Sequence, residues 1–334
     1  MTSSVVTSAL TKRYGPRLAV NAVDIELPAG VVSGFVGPNG AGKTTTIQLL
    51  LGLCRPTSGT AQVLGRPISD PASYLGRVGA LIEAPSFYPT LSGRRNLEVL
   101  TRLGRIDSAR ISEVLAMVEL SDRANDFVRA YSLGMKQRLG VAAALLPNPE
   151  LCILDEPTNG LDPAGIREMR GVIRGLADRG ISVFVSSHLL AEIEAVCDHL
   201  VMIDNGQIVF QGGVDKLIGA QQSDIVATPE HASDVAALAE LCIAAGKPAR
   251  IEQADVHVQA PEDWAAELNR RAMAAGITLR GLAISRASLE QAFFAITEGA
   301  AATEGAAATE GAPATEGAPA TEGVDDPEGA PGEH

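Results

Sequence analysis

The chain opens on short apolar clusters. Residues 5–36 alternate and cluster like a set of short strands, including Ala22-Val23-Asp24-Ile25-Glu26-Leu27 ahead of a Pro28-Ala29-Gly30 turn. Residues 31–36 form a further apolar run, and Thr44-Thr45-Thr46-Ile47-Gln48-Leu49-Leu50 follows with a helical pattern. From about 87 to 146 the periodicity is helical, with Pro89-Thr90-Leu91-Ser92 as a helix start, although Arg95 stands where a capping box would place Glu. Leu151-Cys152-Ile153-Leu154 has no polar alternation, as expected of a parallel strand covered on both faces. Ser182-Val183-Phe184-Val185-Ser186-Ser187 is a second such strand. Asn205-Gly206 between two apolar runs predicts a hairpin with a type I′ turn.

Residues 219–296 predict a small α/β region. Helices are expected over 233–245 and 261–275, strands over 254–259 and 277–285, and a last amphipathic helix from Ser288. From Thr297 a six-residue unit of Thr, Glu, Gly, Ala and Pro recurs, and it holds nothing large enough to pack. Residues 297–334 are therefore expected to be a disordered, solvating tail.

Composition changes the picture in three places. The net charge of −13 owes nine acidic residues to positions 297–334, and residues 1–296 carry only −4. No basic stripe is left to bind nucleic acid. Cys54, Cys152, Cys197 and Cys242 are scattered without a C-x-x-C spacing, the pattern of reduced thiols rather than a disulfide framework. No apolar run reaches 18 residues and the N-terminus lacks a leader pattern, so a membrane pathway is expected to come from another polypeptide.

The candidate chemistry begins at Gly37-Pro38-Asn39-Gly40-Ala41-Gly42-Lys43-Thr44, a G-x-x-x-x-G-K-[ST] loop between strand and helix. Glycines there let successive N–H groups turn around phosphate, and the new helix aims its positive end at the same anion. Lys43 is placed for the β- and γ-phosphates, with Thr44 and Thr45 beside it, and the Thr44 hydroxyl is placed for Mg²⁺. Asp155 and Glu156 end the apolar strand at 151–154. Asp155 is the candidate Mg²⁺ ligand and Glu156 the candidate general base. An isolated acidic pair of this kind would read better as a strand followed by a solvated turn, but not in a chain that also carries the loop above. Ser132, before Leu133-Gly134-Met135-Lys136-Gln137-Arg138, is the N-cap of another helix whose start suits an anion.

In combination these motifs resemble the nucleotide-binding domain of ATP-binding-cassette proteins, over residues 5 to about 218. The resemblance implies an α/β P-loop NTPase fold, residues 1–218, with a helical subdomain at about 87–146. A C-terminal accessory domain at 219–296 and the tail at 297–334 complete the chain. It implies ATP and Mg²⁺ as ligands, with Tyr14 stacking on adenine and residues 37–44 as the phosphate loop. Asn159 to Asp162 match the D-loop, and His188 matches the switch histidine, which the resemblance makes a catalytic residue. Ser132 and Gly134 belong to the signature that, in the family, closes over ATP held by a partner subunit.

Two positions depart from the family pattern. The signature reads Tyr-Ser-Leu-Gly-Met where Leu-Ser-Gly-Gly-Gln is usual, and Glu83 stands where a glutamine usually binds Mg²⁺ and water. Both departures resemble the branch that exports bacitracin-type antibiotics and related drugs. The expected function is thus the ATP-hydrolysing subunit of an exporter, peripheral on the cytoplasmic membrane face. Its expected partners are a second copy or a paralogue, in a head-to-tail pair, and a permease docking near residues 83–97, with Phe87 and Tyr88 as either contacts for it or residues buried inside the domain. Two alternatives are a soluble cassette ATPase of translation or DNA repair and a nucleotide sensor without turnover. The first usually has two ATPase domains or a long coiled-coil insertion, and this chain has neither. Intact Lys43, Asp155, Glu156 and His188 weigh against the second.

Overall fold

The continuous apolar runs become the central strands of a sheet, and the computed structural model describes residues 3–82, 86–219, 224–285 and Leu289. Glu83, the last predicted helix apart from Leu289, and the repeat tail lie outside the described residues. The chain divides into two units, Met1–Thr297 and Glu298–His334. All the described strands and helices lie in the first.

Strands β1 (Ser3–Tyr14), β2 (Arg17–Val23) and β3 (Glu26–Pro28) precede β4 (Val32–Val36) and helix α1 (Lys43–Leu50). Then come β5 (Ser58–Val63), β6 (Arg66–Pro67) and β7 (Val78–Leu81). Helices α2 (Gly93–Gly104), α3 (Arg110–Met117) and α4 (Leu133–Leu145) occupy the predicted helical stretch. After them run β8 (Leu151–Asp155), α5 (Pro163–Ala177), β9 (Ser182–Ser187), α6 (Leu190–Glu194), β10 (His199–Asp204), β11 (Gln207–Gly213) and α7 (Val214–Gly219).

Among the described residues, β11-β10-β4-β9-β8-β7 form one sheet, parallel from β10 to β7 and edged by antiparallel β11. Both faces are covered, which explains the unbroken apolar runs. Cys152 and Leu154 pack with helices α3, α4 and α5, whereas Leu151 and Ile153 pack on the antiparallel sheet β2-β1-β5-β6 and on α1. Phe35 and Phe184 stack across β4 and β9 at 5.2 Å. Burial pushes the Cys152 thiol up to about 12, the behaviour of an inert core residue.

The parallel strands end at one edge, so their carboxyl ends open a common crevice. Gly37, after β4, and Glu156, after β8, both lie there, and the register pairs Asp155 with Ser186 at the end of β9. The predicted Asn205-Gly206 turn joins β10 and β11 with φ of 46° and 80°, as a type I′ turn requires. Ser92 and Ser132 cap α2 and α4 through their hydroxyls, accepting from Arg95 N and Met135 N.

A further sheet, β13 (Ala249–Glu252), β14 (Asp255–Gln259), β12 (Asp224–Pro229) and β15 (Leu279–Ser285), is wholly antiparallel. With α8 (Val235–Ala244) and α9 (Trp264–Ala274) it encloses its own core of Ile225, Leu238, Cys242, Val256, Val258 and Leu268. The predicted helices and the later strands fall here within a few residues of their expected ends. Beyond this region Leu289 is fully buried in the core that holds α4 and α5, and its N–H donates to Glu194 Oε2 at 3.1 Å.

Candidate functional site

The phosphate loop is shaped by the chain around it. Gly42 has φ of +110°, and a Cβ there would lie 2.5 Å from the Ala19 carbonyl oxygen. Only glycine meets both conditions. Gly37 is equally enclosed, with the Ile203 carbonyl oxygen 2.1 Å from the position of a Cβ. Ala41 is buried, and its carbonyl accepts from Gly206 N at 3.0 Å, so the β10–β11 turn braces the loop.

Lys43 is buried at 6% exposure. Its Nζ donates to Gly37 O at 2.7 Å and to Pro38 O at 3.4 Å, and lies 3.4 Å from Glu156 Oε1. The other Glu156 oxygen, Oε2, is 2.8 Å from His188 Nδ1. Glu156 thus stands between a cation and an imidazole, on a left-handed backbone with φ of 49°. That conformation is strained for a non-glycine residue. It is held by the Glu156 N–H donating to Ser186 Oγ at 2.9 Å and by Asn159 N donating to Glu156 O at 3.1 Å. Asp155 is buried and accepts from Thr44 Oγ1 at 2.9 Å and from the Ser186 hydroxyl.

A cleft of about 560 Å³ opens over these groups, lined by Tyr14, Asn39, Gly40, Gly42, Lys43, Thr44, Thr45, Glu156 and His188. Tyr14 is half-exposed at its rim, with Lys12 Nζ 4.8 Å from the ring centroid. The structure therefore places Tyr14, the phosphate loop, Asp155, Glu156 and His188 together. Glu83 falls outside the described residues. Arg17 and Ser186 join the site without a sequence motif to announce them. Arg17 lines the cleft and its Nη2 reaches Gly40 O at 3.5 Å. Ser186 is completely buried and joins Asp155 to the Glu156 backbone. The cue for Ser186 lies in the strand ending Ser186-Ser187-His188, whose pairing with β8 fixes it opposite Asp155.

Ser132 and Gly134 lie elsewhere. They line a separate cavity of about 500 Å³ with Leu133, Arg138, Gly160 and Asp162. Asp162 is the N-cap of α5, accepting from Gly165 N at 2.8 Å. Of the two aromatics expected at a docking surface, Phe87 packs on the core while Tyr88 is 61% exposed.

Residues 20–159 match the model of the ABC transporter family. The chain is 46% identical over 220 residues to the bacitracin transport ATP-binding protein BcrA of Bacillus licheniformis, covering 65% of this chain and 72% of that one. It is 41% identical over 206 residues to the lantibiotic transport ATP-binding protein SrtF of Streptococcus pyogenes, covering 62% and 89%. A solved ATP-binding subunit of an ABC transporter superposes with a TM-score of 0.58 at 28% identity, over 66% of this chain and 93% of that one. The chain belongs to the ATP-binding proteins of the ABC transporter family. It is an ATP-binding subunit in which ATP hydrolysis is coupled to transport. Among the described residues no helix is long and apolar enough to cross a membrane.

Proposed function

We propose that the cleft hydrolyses ATP with Glu156 as the general base, and that the chain drives export of an antibiotic-like compound through a separate permease. The observation that carries the hydrolytic role is the Glu156 carboxylate held between Lys43 and His188. A base needs a fixed orientation towards the proton it takes, and the contacts to Lys43 and His188 fix the Glu156 carboxylate at the cleft. Tyr14 supplies a ring for the adenine, and Lys43 can exchange loop carbonyls for phosphate oxygens. Backbone N–H groups of the loop and the start of α1 face the same anion.

Mg²⁺ fits the donors present. Thr44 Oγ1 and Asp155 Oδ2 are hard oxygen ligands 2.9 Å apart beside the phosphate loop. Among the described residues no group of three or more His, Cys, Asp or Glu side chains is arranged to hold a metal. That is the expected arrangement for an ion completed by phosphate oxygens and water. When bound, it would neutralise charge on the β- and γ-phosphates. Ser186 keeps Asp155 oriented, and His188 keeps Glu156 aimed at the cleft.

Ser132 and Gly134 face a different cavity from Lys43, which supports a head-to-tail pair in which each ATP is closed by the other chain's α4. The partner is a second copy or a paralogue. Tyr88, exposed beside α2, supports permease docking there, with the chain on the cytoplasmic face. The names of the relatives BcrA and SrtF support antibiotic-type cargo, and residues 219–296 are read as an accessory domain. Glu156→Gln should cut turnover by roughly 10³-fold, a loss on the scale of removing a base and its positioning, while ATP stays bound. Lys43→Ala should lose both ATP binding and turnover. Near-parental turnover in Glu156→Gln would end the assignment of the base.

A further inference from the structure

Helix α6 begins two residues after His188 and carries an acid that the hydrolytic reading does not use. Glu192 is 94% buried, at 6% exposure. Its Oε2 accepts the hydroxyl of Thr158, itself 7% exposed, and its Oε1 is enclosed without a hydrogen-bond partner. A carboxyl group buried with only part of its bonding met is costly, and an apolar residue would serve packing better. Its presence needs a reason other than packing.

Thr158 and Glu192 belong to the two segments that converge on the cleft. Thr158 lies two residues beyond Glu156, and its carbonyl accepts from Leu161 N at 3.1 Å. Asn159 N donates to Glu156 O at 3.1 Å, so residues 156–161 close on themselves through backbone bonds. On the other side Leu189 N donates to Ser187 Oγ at 3.0 Å and Glu192 N to Leu189 O at 3.1 Å, which closes residues 187–192 likewise. Two side-chain bonds cross between these small loops. One is Glu156 to His188 at the partly exposed rim, and the other is Thr158 to Glu192 in the interior. The first loop continues through Gly160, Leu161 and Asp162, which line the cavity of Ser132 and Gly134. The buried bond therefore stands where three things meet: the candidate base, the switch histidine and the surface beside α4.

We propose that Glu192 is a positioning residue for ATP hydrolysis. Through Thr158 it holds the loop of Glu156 and Asn159 against the segment of His188, and so sets the aim of the base without touching nucleotide. This deepens the hydrolytic reading above and rests on it. Nucleotide affinity is assigned to residues 37–44 and Tyr14, and the hydrogen bonds of Glu192 go instead to Thr158 and Leu189. Loss of the bond should therefore act on kcat and spare ATP binding, since small misplacements of a catalytic group cost roughly 10–100-fold.

The test compares Glu192→Ala, Glu192→Gln, Thr158→Val and Thr158→Ser in the full chain, by steady-state ATPase kinetics, equilibrium binding of a fluorescent ATP analogue and thermal melting. The expected result is a kcat roughly 10–100-fold lower for Glu192→Ala and Thr158→Val, with the dissociation constant within about threefold of the parent. Glu192→Gln keeps an acceptor oxygen and Thr158→Ser keeps the hydroxyl, so both should recover most of the turnover. The double variant Glu192→Ala/Thr158→Val should be no slower than Glu192→Ala alone, because the two share one interaction. Parental kcat in Glu192→Ala and Thr158→Val would overturn the proposal. So would losses that follow the melting temperature and are not restored by Glu192→Gln or Thr158→Ser. Full turnover in Glu156→Gln would remove the base assignment alone, since a loss in Thr158→Val restored in Thr158→Ser would still locate an effect at this bond.

Discussion

The chain offers two helix starts to an anion, one at α1 and one at α4, and they differ in what constrains their glycines. At α1, Gly42 is left-handed and enclosed by the Ala19 carbonyl, and the Lys43 ammonium is engaged by the loop and Glu156. At α4, a Cβ on Gly134 would meet nothing nearer than Leu161 Cδ2 at 3.8 Å and Ser132 Oγ at 3.9 Å. Its φ does not demand glycine either, being outside the left-handed range. The fold of this chain requires the first glycine and has no use for the second. The first half is completed within the chain, and the freedom at Gly134 fits the proposal that the second half serves another chain.

The comparison can be broken by substitution. Gly42→Ala should have the largest effect, abolishing ATP binding and destabilising the protein, because it meets both a backbone clash and an unfavourable φ. ATP-analogue binding and melting check this. Gly134→Asp should leave the fold and ATP binding near parental while turnover falls by more than about 100-fold, since the added carboxylate would face phosphate in a closed pair. Loss of ATP binding in Gly134→Asp would erase the distinction between the halves. Ser132→Ala removes the cap on Met135 N and should cost about 1 kcal/mol of stability in chemical denaturation, with a partial loss of turnover.

The smallest effect concerns the far end of the sheet and separates damage to the scaffold from damage to either half. His199, at the start of β10, has an enclosed Nδ1 without a partner, and burial lowers its pKa below 6.5, partly opposed by the Glu26 carboxylate. The folded state takes up this proton less readily than the unfolded state. The corresponding stability is present above pH 6.5 and is lost as pH falls through the lowered folded value. Denaturation of His199→Asn at pH 8 and pH 5 should show a smaller drop than the parent, with ATP binding at pH 8 unchanged.

Local motifs make much of the site legible. Lys43, Thr44, Asp155 and Glu156 sit in short runs whose spacing carries their geometry, and β8 and β9 are visible because both faces of the sheet are covered. Ser186, Arg17 and Glu192 are hidden because their places follow from strand register and from a helix of five residues, which no local spacing encodes. The strands β5 and β13 are equally hard to see. Ser58–Val63 buries only Ala61 and Val63, and Ala249–Glu252 buries none, so neither shows a continuous apolar face. In β12 the alternation is present, but Pro229 at its end and the short spacing to Ser233 conceal it.

The central claim is that the α4 half serves a second chain. The direct measurement is the mass of the Glu156→Gln full chain in solution by light scattering, with MgATP, with MgADP, and with MgATP after adding Gly134→Asp. The account predicts a species of about twice 34.6 kDa with MgATP only, and a monomer that still binds ATP when Gly134→Asp is present. A monomer under MgATP with nucleotide bound, or a dimer indifferent to Gly134→Asp, would contradict it.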